Sequence, residues 1–443
     1  LTPALTTHFK KLKMVKQLII PALAVSMLTG CNSTKNNASP GSGGAHADTV
    51  TLPAPFATPS VRNNSKVIGW PGGKTPVAPE GFNVTLFADS LDNPRWIYIA
   101  PNGDVFVSMA NTVSDGFTKT AGIEKRGRSS NTILLLRDQD GDGTPETKQV
   151  FLTGLNRPLG MLILDNKFYV ANTDGLWMYP YGAGQTEMAA SGTKILDLPA
   201  GGYNNHWTRN IIANKEGTRI YVSVGSGSNV AEHGIDNERR RAGILEINPD
   251  GSGERIYASG LRNPVGMDWA PGTNVLWTAV NERDGLGDDL VPDYVSSVKE
   301  GGFYGWPYAY YGKNPDPRLK GERMDLVAST ITPDVSMGAH TASLGLTFNR
   351  DNHFGKPYAG GMFVGQHGSW NRSVLSGYKV VFVPFAGGKP SGPVQDFLIG
   401  FIADREANTV YGRPVGVAFA KDGSLLVADD AGKKIWRVTK GNR

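Results

Sequence analysis

Residues 94–107 read PRWIYIAPNGDVFV: an aromatic, β-branched run, a Pro-Asn-Gly-Asp turn, and a second β-rich run. Two such runs joined by a short polar turn form a hairpin signal. The unit recurs at 158–170 (PLGMLILDNKFYV), 206–224 (HWTRNIIANKEGTRIYVSV), 264–280 (PVGMDWAPGTNVLWTAV), the longer 343–364, and 414–428 (PVGVAFAKDGSLLVA). These anchors lie roughly 50 to 80 residues apart, enough for a four-stranded sheet and generous loops. One such sheet cannot bury both of its faces, but sheets stacked radially in a closed ring can. The expected fold class is therefore all-β: a six-bladed β-propeller with four-stranded blades and long loops at the mouth of its channel. A large sandwich or a parallel β-helix is the alternative, and no short rung period supports the latter.

Composition agrees with this reading. The chain has 443 residues, 40% hydrophobic and 19% charged, so it can bury a large core and is no disordered polymer. Its 56 Gly and 28 Pro carry no Gly-X-Y period, which excludes collagen and suits short strands joined by tight turns. The single cysteine, Cys31, excludes an internal disulfide framework and a thiolate metal cluster. Lys10, Lys11, Lys13 and Lys16 precede the apolar run 18–28, which ends in Leu28-Thr29-Gly30-Cys31. This pattern resembles a bacterial lipoprotein signal over 1–30, with Met14 as a plausible start and Cys31 as the acylated residue. A polar tether over 31–50 and a Pro-rich extended lead-in over 51–79 would follow, with the propeller at 80–443. The expected location is the periplasm or outer membrane, anchored through Cys31. The formal charge of +5 owes much to the four signal lysines, so the rest is close to neutral and nucleic acid is excluded as a partner.

In a propeller the loops that enter the innermost strands meet at one end of the channel. The residues just before the six units are Asn93-Pro94-Arg95, Asn156-Arg157-Pro158, 204–209 (NNHWTR), Leu261-Arg262-Asn263-Pro264, Gly338-Ala339-His340 and Gly412-Arg413-Pro414. Proline fixes φ at a strand entry and asparagine caps a turn, which accounts for those two types. The arginines have no such explanation. Several guanidiniums at one mouth repel each other unless an anion, such as a polycarboxylate or phosphate, sits among them.

The repeat texture, with 261–264 (LRNP), 281–294 (NERDGLGDDLVPDY), 301–307 (GGFYGWP), 366–372 (QHGSWNR) and the closing unit at 412–428, resembles the glucose/sorbosone dehydrogenase family over about 79–438, nearest its sorbosone-dehydrogenase-like branch. The resemblance implies a quinoprotein that uses pyrroloquinoline quinone (PQQ) with calcium. It would oxidise a small sugar or sugar aldehyde and pass electrons to an external acceptor. In that family a His opening the third blade is the general base, the place of His206, and a neutral imidazole is competent for that role. The resemblance puts Arg262 and Asn263 against the quinone oxygens, where Arg262 would stabilise developing charge. Arg413 would hold cofactor carboxylates through its planar fork.

Arg209 and His340 join the cofactor set by their repeat position. His367 or Arg372 stands in for a fifth-blade lysine of the family, and Tyr411 replaces one of its arginines. The resemblance places calcium at Asn281, Glu282, Arg283 and Asp284, although the family uses carbonyls of a Gly-Pro turn there. A second acidic loop, 138–144 (DQDGDGT), begins like an EF-hand loop but has Gln149 at the twelfth position; a structural calcium and a solvated turn both remain open. The competing functions are a calcium-dependent lactonase or other hydrolase propeller and a non-catalytic sugar- or protein-binding propeller. The arginine-rich mouth favours an anionic cofactor over both.

Overall fold

A computed structural model of the chain describes residues 50–111 and 129–441. The expected signal over 1–30, Cys31 and the expected tether up to residue 49 lie outside the described residues. Among the described residues, six sheets contain four antiparallel strands each, in meander order along the chain. Their first strands are Pro94–Ile99, Met161–Leu164, Arg209–Ala213, Pro264–Trp269, Ser343–Phe348 and Pro414–Phe419. All six fall within the repeated hairpin units. The last sheet is completed from the other end of the domain: Phe82–Ala88 pairs antiparallel with Lys434–Lys440, from Phe82↔Lys440 to Ala88↔Ile435.

The first strands pack against one another in cyclic order. Pro94–Ile99 contacts Pro414–Phe419, and the series continues through Ser343–Phe348, Pro264–Trp269 and Arg209–Ala213 to Met161–Leu164. The Ile163 amide donates to the Tyr98 hydroxyl at 2.9 Å and returns the series to the first sheet. This close approach explains the glycine two residues into four of the units. A Cβ on Gly345 would lie 2.1 Å from the Val415 carbonyl oxygen, and one on Gly416 would lie 2.9 Å from that of Arg95. Between neighbouring sheets the side chains form dry layers, such as Trp96, Phe106, Phe151 and Phe168 between the first and second. A cyclic stack of sheets, with no helical layer among the described residues, is consistent with a β-propeller.

The Pro-rich lead-in runs as a strap across the segments between the second and third strands of the last three sheets. The Asp288 amide donates to Thr58 Oγ1 (2.8 Å), the Asn63 amide to the Trp370 carbonyl (2.8 Å), and Trp70 Nε1 to Asp429 Oδ2 (2.6 Å). Lys66–Val67 adds a short parallel pairing with Thr409–Val410. The GGFYGWP run has a related role on the third sheet. Gly302–Phe303 extends its outer edge, and Trp306 Nε1 donates to the Asn229 carbonyl at 2.8 Å.

Candidate active site

His206 enters the third sheet on a loop held by cations. Its Nδ1 lies 2.9 Å from both the carbonyl oxygen and the hydroxyl of Ser226. That hydroxyl donates onward to the Ser228 carbonyl at 2.6 Å, so it accepts from the imidazole and the proton resides on Nδ1. Nε2 keeps its lone pair. Burial, and then the charge of Arg262, hold the imidazole well below its usual range, with Arg209 and Arg241 acting in the same sense, so the ring is neutral. Gly225 lets His206 and Asn263 meet: a Cβ there would lie 2.6 Å from His206 Cβ and 2.3 Å from Asn263 Oδ1. That Asn263 oxygen is buried and has no hydrogen-bond partner.

Arg209 does not reach the mouth as a cofactor fork. Its guanidinium donates to the carbonyls of Pro199, His206 and Thr208, which pins the His206 loop from behind. Burial, then Arg241 and Arg157, push it down to about 9. Arg262 is also enclosed. It donates to Glu282 O (2.6 Å), Asn229 Oδ1 (2.8 Å), Asn229 O and Asp284 Oδ2 (both 3.2 Å), and more distantly to Asn281 O and Oδ1.

This corrects the metal reading of 281–284. The oxygens of Asn281, Glu282 and Asp284 surround a guanidinium, and Glu282 Oε2 also accepts from Arg283 Nε at 2.9 Å. Arg283 is itself a cation, fully buried and bound to Asp316 and to the carbonyls of Pro307 and Ala309. A second cation in the same oxygen cage would be repelled, so these four side chains form no ion cage. Among the described residues, Asp138, Asp140, Asp142 and Glu146 are gathered with ligand atoms within 4.8 Å of one another. The sequence reading missed Glu146, at the ninth loop position.

The fifth and sixth sheets supply a second cluster. Asp430 accepts from Arg95 Nη1 and, at 2.9 Å, from His367 Nε2, which places that ring proton on Nε2. Arg413 donates from Nε to the His367 carbonyl (2.9 Å) and from Nη2 to the Gly368 carbonyl (2.6 Å). Burial, then Arg413, drive His367 down to about 3 against the pull of Asp430. Burial opposes ionisation of Asp430, but His367, Arg95 and Arg413 outweigh it and keep the carboxylate charged. Arg95 also lies over the Trp207 ring, 5.6 Å from its centroid, with Arg157 near the same ring at 6.0 Å. Contacts therefore join loops of the first, second, third, fifth and sixth sheets.

Two candidates are placed differently from expectation. His340 has both ring nitrogens engaged, Nε2 to the Gly287 carbonyl (2.9 Å) and Nδ1 to Asn371 Nδ2 (3.1 Å). Asn371 donates to Asp284 Oδ1 at 2.7 Å, so His340 supports the Arg262 cage. Arg372 turns outward to Asp289 at 2.6 Å and stays on the partly exposed rim.

Beside Arg413, Asp429 is fully buried and accepts from Trp70, Trp436 and the amides of Arg413 and Gly432. Burial outweighs these donors and pushes its carboxyl up to about 6. A raised folded value means that its contribution to stability is full below the unfolded value near 4 and is lost as pH rises through about 6. Urea midpoints of wild type and Asp429→Asn, measured from about pH 4 to 7, should differ in slope, with the variant losing less stability as pH rises. Parallel curves would contradict this assignment.

A family model described as TrAA12-like matches residues 76–296 and 323–441. An uncharacterized protein of Borreliella burgdorferi is 29% identical over 371 residues, covering 81% of this chain and 89% of that protein. A pyrroloquinoline quinone-dependent pyranose dehydrogenase of Coprinopsis cinerea is 24% identical, covering 85% of this chain; the chain spans 57% of that relative's length. A calcium structure of the Trichoderma reesei Carbohydrate-Active Enzymes Family AA12 superposes with a TM-score of 0.66 at 19% identity, covering 86% of this chain and 99% of that one.

Proposed function

The chain belongs to the TrAA12-like family, and on that footing we propose that it is a six-bladed quinoprotein propeller that oxidises a pyranose, aldose or sugar aldehyde and delivers the electrons to an external acceptor. The observation that carries this reading is the pairing of His206, with Nδ1 anchored and Nε2 available, with the buried guanidiniums of Arg95, Arg262 and Arg413 at neighbouring sheet entries. Asn263 Oδ1 and Arg95 Nε are buried there without partners. Arg95 Nε is an open donor for a carboxylate of a planar polycarboxylate such as PQQ, while Asn263 Oδ1, an acceptor, suits a hydroxyl or N–H of the ligand. Arg95, Arg413 and Asn263 are the residues that would hold it. When bound, PQQ would supply a two-electron acceptor, and calcium a Lewis acid.

The chain's own part follows from its geometry. Nε2 of His206 takes the proton of a substrate hydroxyl as the carbon that bears it is oxidised. Burial and the charge of Arg262 hold the imidazole low; an anion among the guanidiniums offsets the second of these and raises the ring toward the range where a general base works. Hydrogen bonding of Nδ1 to Ser226 stabilises the imidazolium that forms. A lactonase or other hydrolase would gain little from these cations. A second reading of the base is supported by one contact: Asp430 orients His367 through Nε2, as carboxylates orient general bases elsewhere.

The test adds PQQ and calcium to purified apoprotein. Binding is followed by titration calorimetry, and turnover by reduction of a dye with glucose, sorbosone and other pyranoses. Saturable binding with sugar-dependent dye reduction is expected. No binding and no reduction with any sugar would remove the dehydrogenase reading and leave the mouth as a site for another anion.

A further inference from the structure

Glu238 ends the short helical turn Ile235–Glu238 and is buried, although the mouth chemistry described above makes no use of it. Its carboxylate accepts three hydrogen bonds from one neighbouring loop: Gly227 N–H to Oε2 (2.7 Å), and Ser228 N–H (2.9 Å) and Oγ–H (2.5 Å) to Oε1. That loop is the seat of the imidazole. Ser226, the preceding residue, presents both oxygens to His206 Nδ1, and its own amide donates to the Arg262 carbonyl at 2.7 Å. Gly227 returns a carbonyl to the Asn205 amide at 2.8 Å, next to His206 in sequence. The loop packs closely on its neighbour: a Cβ on Gly227 would lie 2.9 Å from the Tyr203 carbonyl oxygen.

We propose that Glu238 is the positioning residue for the His206 base: its acceptor-only carboxylate clamps Gly227 and Ser228, and thereby aims the Ser226 oxygens at Nδ1. This deepens the function proposed above and rests on it. The hydrogen bond made by one ring nitrogen sets which nitrogen carries the proton and where the other points, so a shift in Ser226 is a shift in the base. A carboxylate suits the place because the three groups that bond to it are donors. The isosteric amide would turn a donor toward Gly227 or Ser228 and force the loop to move.

The experiment uses Glu238→Gln, with Glu238→Asp as the variant that keeps the charge. In the apoprotein, the slowly exchanging imidazole Nδ1–H proton is observed by NMR and assigned by its absence from His206→Ala. It should be sharp in wild type, broadened or lost in E238Q, and partly restored in E238D. In the loaded enzyme, E238Q should lower kcat about tenfold with KM and PQQ affinity unchanged, because the effect falls on the proton transfer alone. An unchanged Nδ1–H resonance in E238Q would overturn the proposal, and so would equal losses of kcat, PQQ binding and thermal stability. If the resonance responds as expected but wild type reduces no acceptor, the positioning of His206 stands and the dehydrogenase reading fails.

Discussion

His206→Ala should bind PQQ as tightly as wild type while its dye-linked turnover falls about 10²- to 10⁴-fold, the usual contribution of a general base. The split follows from what the side chain touches. Nδ1 is bound to Ser226, and the guanidiniums that would hold an anion, Arg95 and Arg413, are fixed by Asp430 and by the carbonyls of His367 and Gly368. None of those contacts passes through the imidazole. His367→Ala is the necessary companion. It removes a donor to Asp430, leaves that carboxylate to Arg95, and should lower PQQ affinity as well as kcat. If H206A keeps wild-type turnover and H367A alone abolishes it with PQQ still bound, His367 is the base and the assignment to His206 is wrong.

Arg283→Met should lower folding stability by about 3–5 kcal/mol, the cost of breaking a buried ion pair from one side. Arg283 is fully buried, and its guanidinium lies between Glu282 (2.9 Å) and Asp316 (3.2 Å), both also buried. Burial pulls its pKa down, but the two carboxylates outweigh burial and keep it charged. Without it, Glu282 is left with an unpaired charge, while Asp316 retains Arg318 at 2.7 Å. The loss should appear as a lower urea midpoint. Glu282→Gln in the same background should recover part of it, since the orphaned charge is then gone. A midpoint shift worth less than about 0.5 kcal/mol would show that the pair is dispensable. Because Glu282 O is the shortest acceptor of Arg262, the same variant should also loosen the cage beside His206.

The architecture was legible because it is periodic. Each hairpin unit carries its own turn chemistry, and the glycine two residues into a unit marks a contact with a neighbouring sheet: Gly266 faces Leu344, and Gly345 and Gly416 face their own neighbours. The arginines at the unit entries were equally plain, since no local rule of strand or turn places a guanidinium there. Which of them is available to a ligand was not plain. Arg262 and Arg413 precede nearly identical Pro-Val-Gly strands, yet one is enclosed by oxygens of residues 229 and 281–284 while the other bonds to two carbonyls at 367 and 368.

The metal reading of 281–284 failed for a related reason. Carboxylates and amides in a row look like oxygen ligands, but whether an ion or an arginine fills their cage depends on a side chain about twenty residues upstream. Asp430 and Glu238 stand among ordinary loop residues, with no pattern to mark them.

By itself the sequence determined the repeat, the all-β class and the recurrence of arginine and histidine at the unit entries, since each of these follows from local periodicity and residue type. Only the tertiary structure decided that His206 rests on Ser226, that Asp430 joins Arg95 to His367, and that Arg209, Arg283 and His340 brace the site from behind. The physical reason is that a hydrogen-bonding group is defined by what saturates it. In a cyclic stack of sheets the saturating partner comes from a neighbouring sheet or from an unpatterned loop, and Arg95 meets Asp430 across 335 residues of chain.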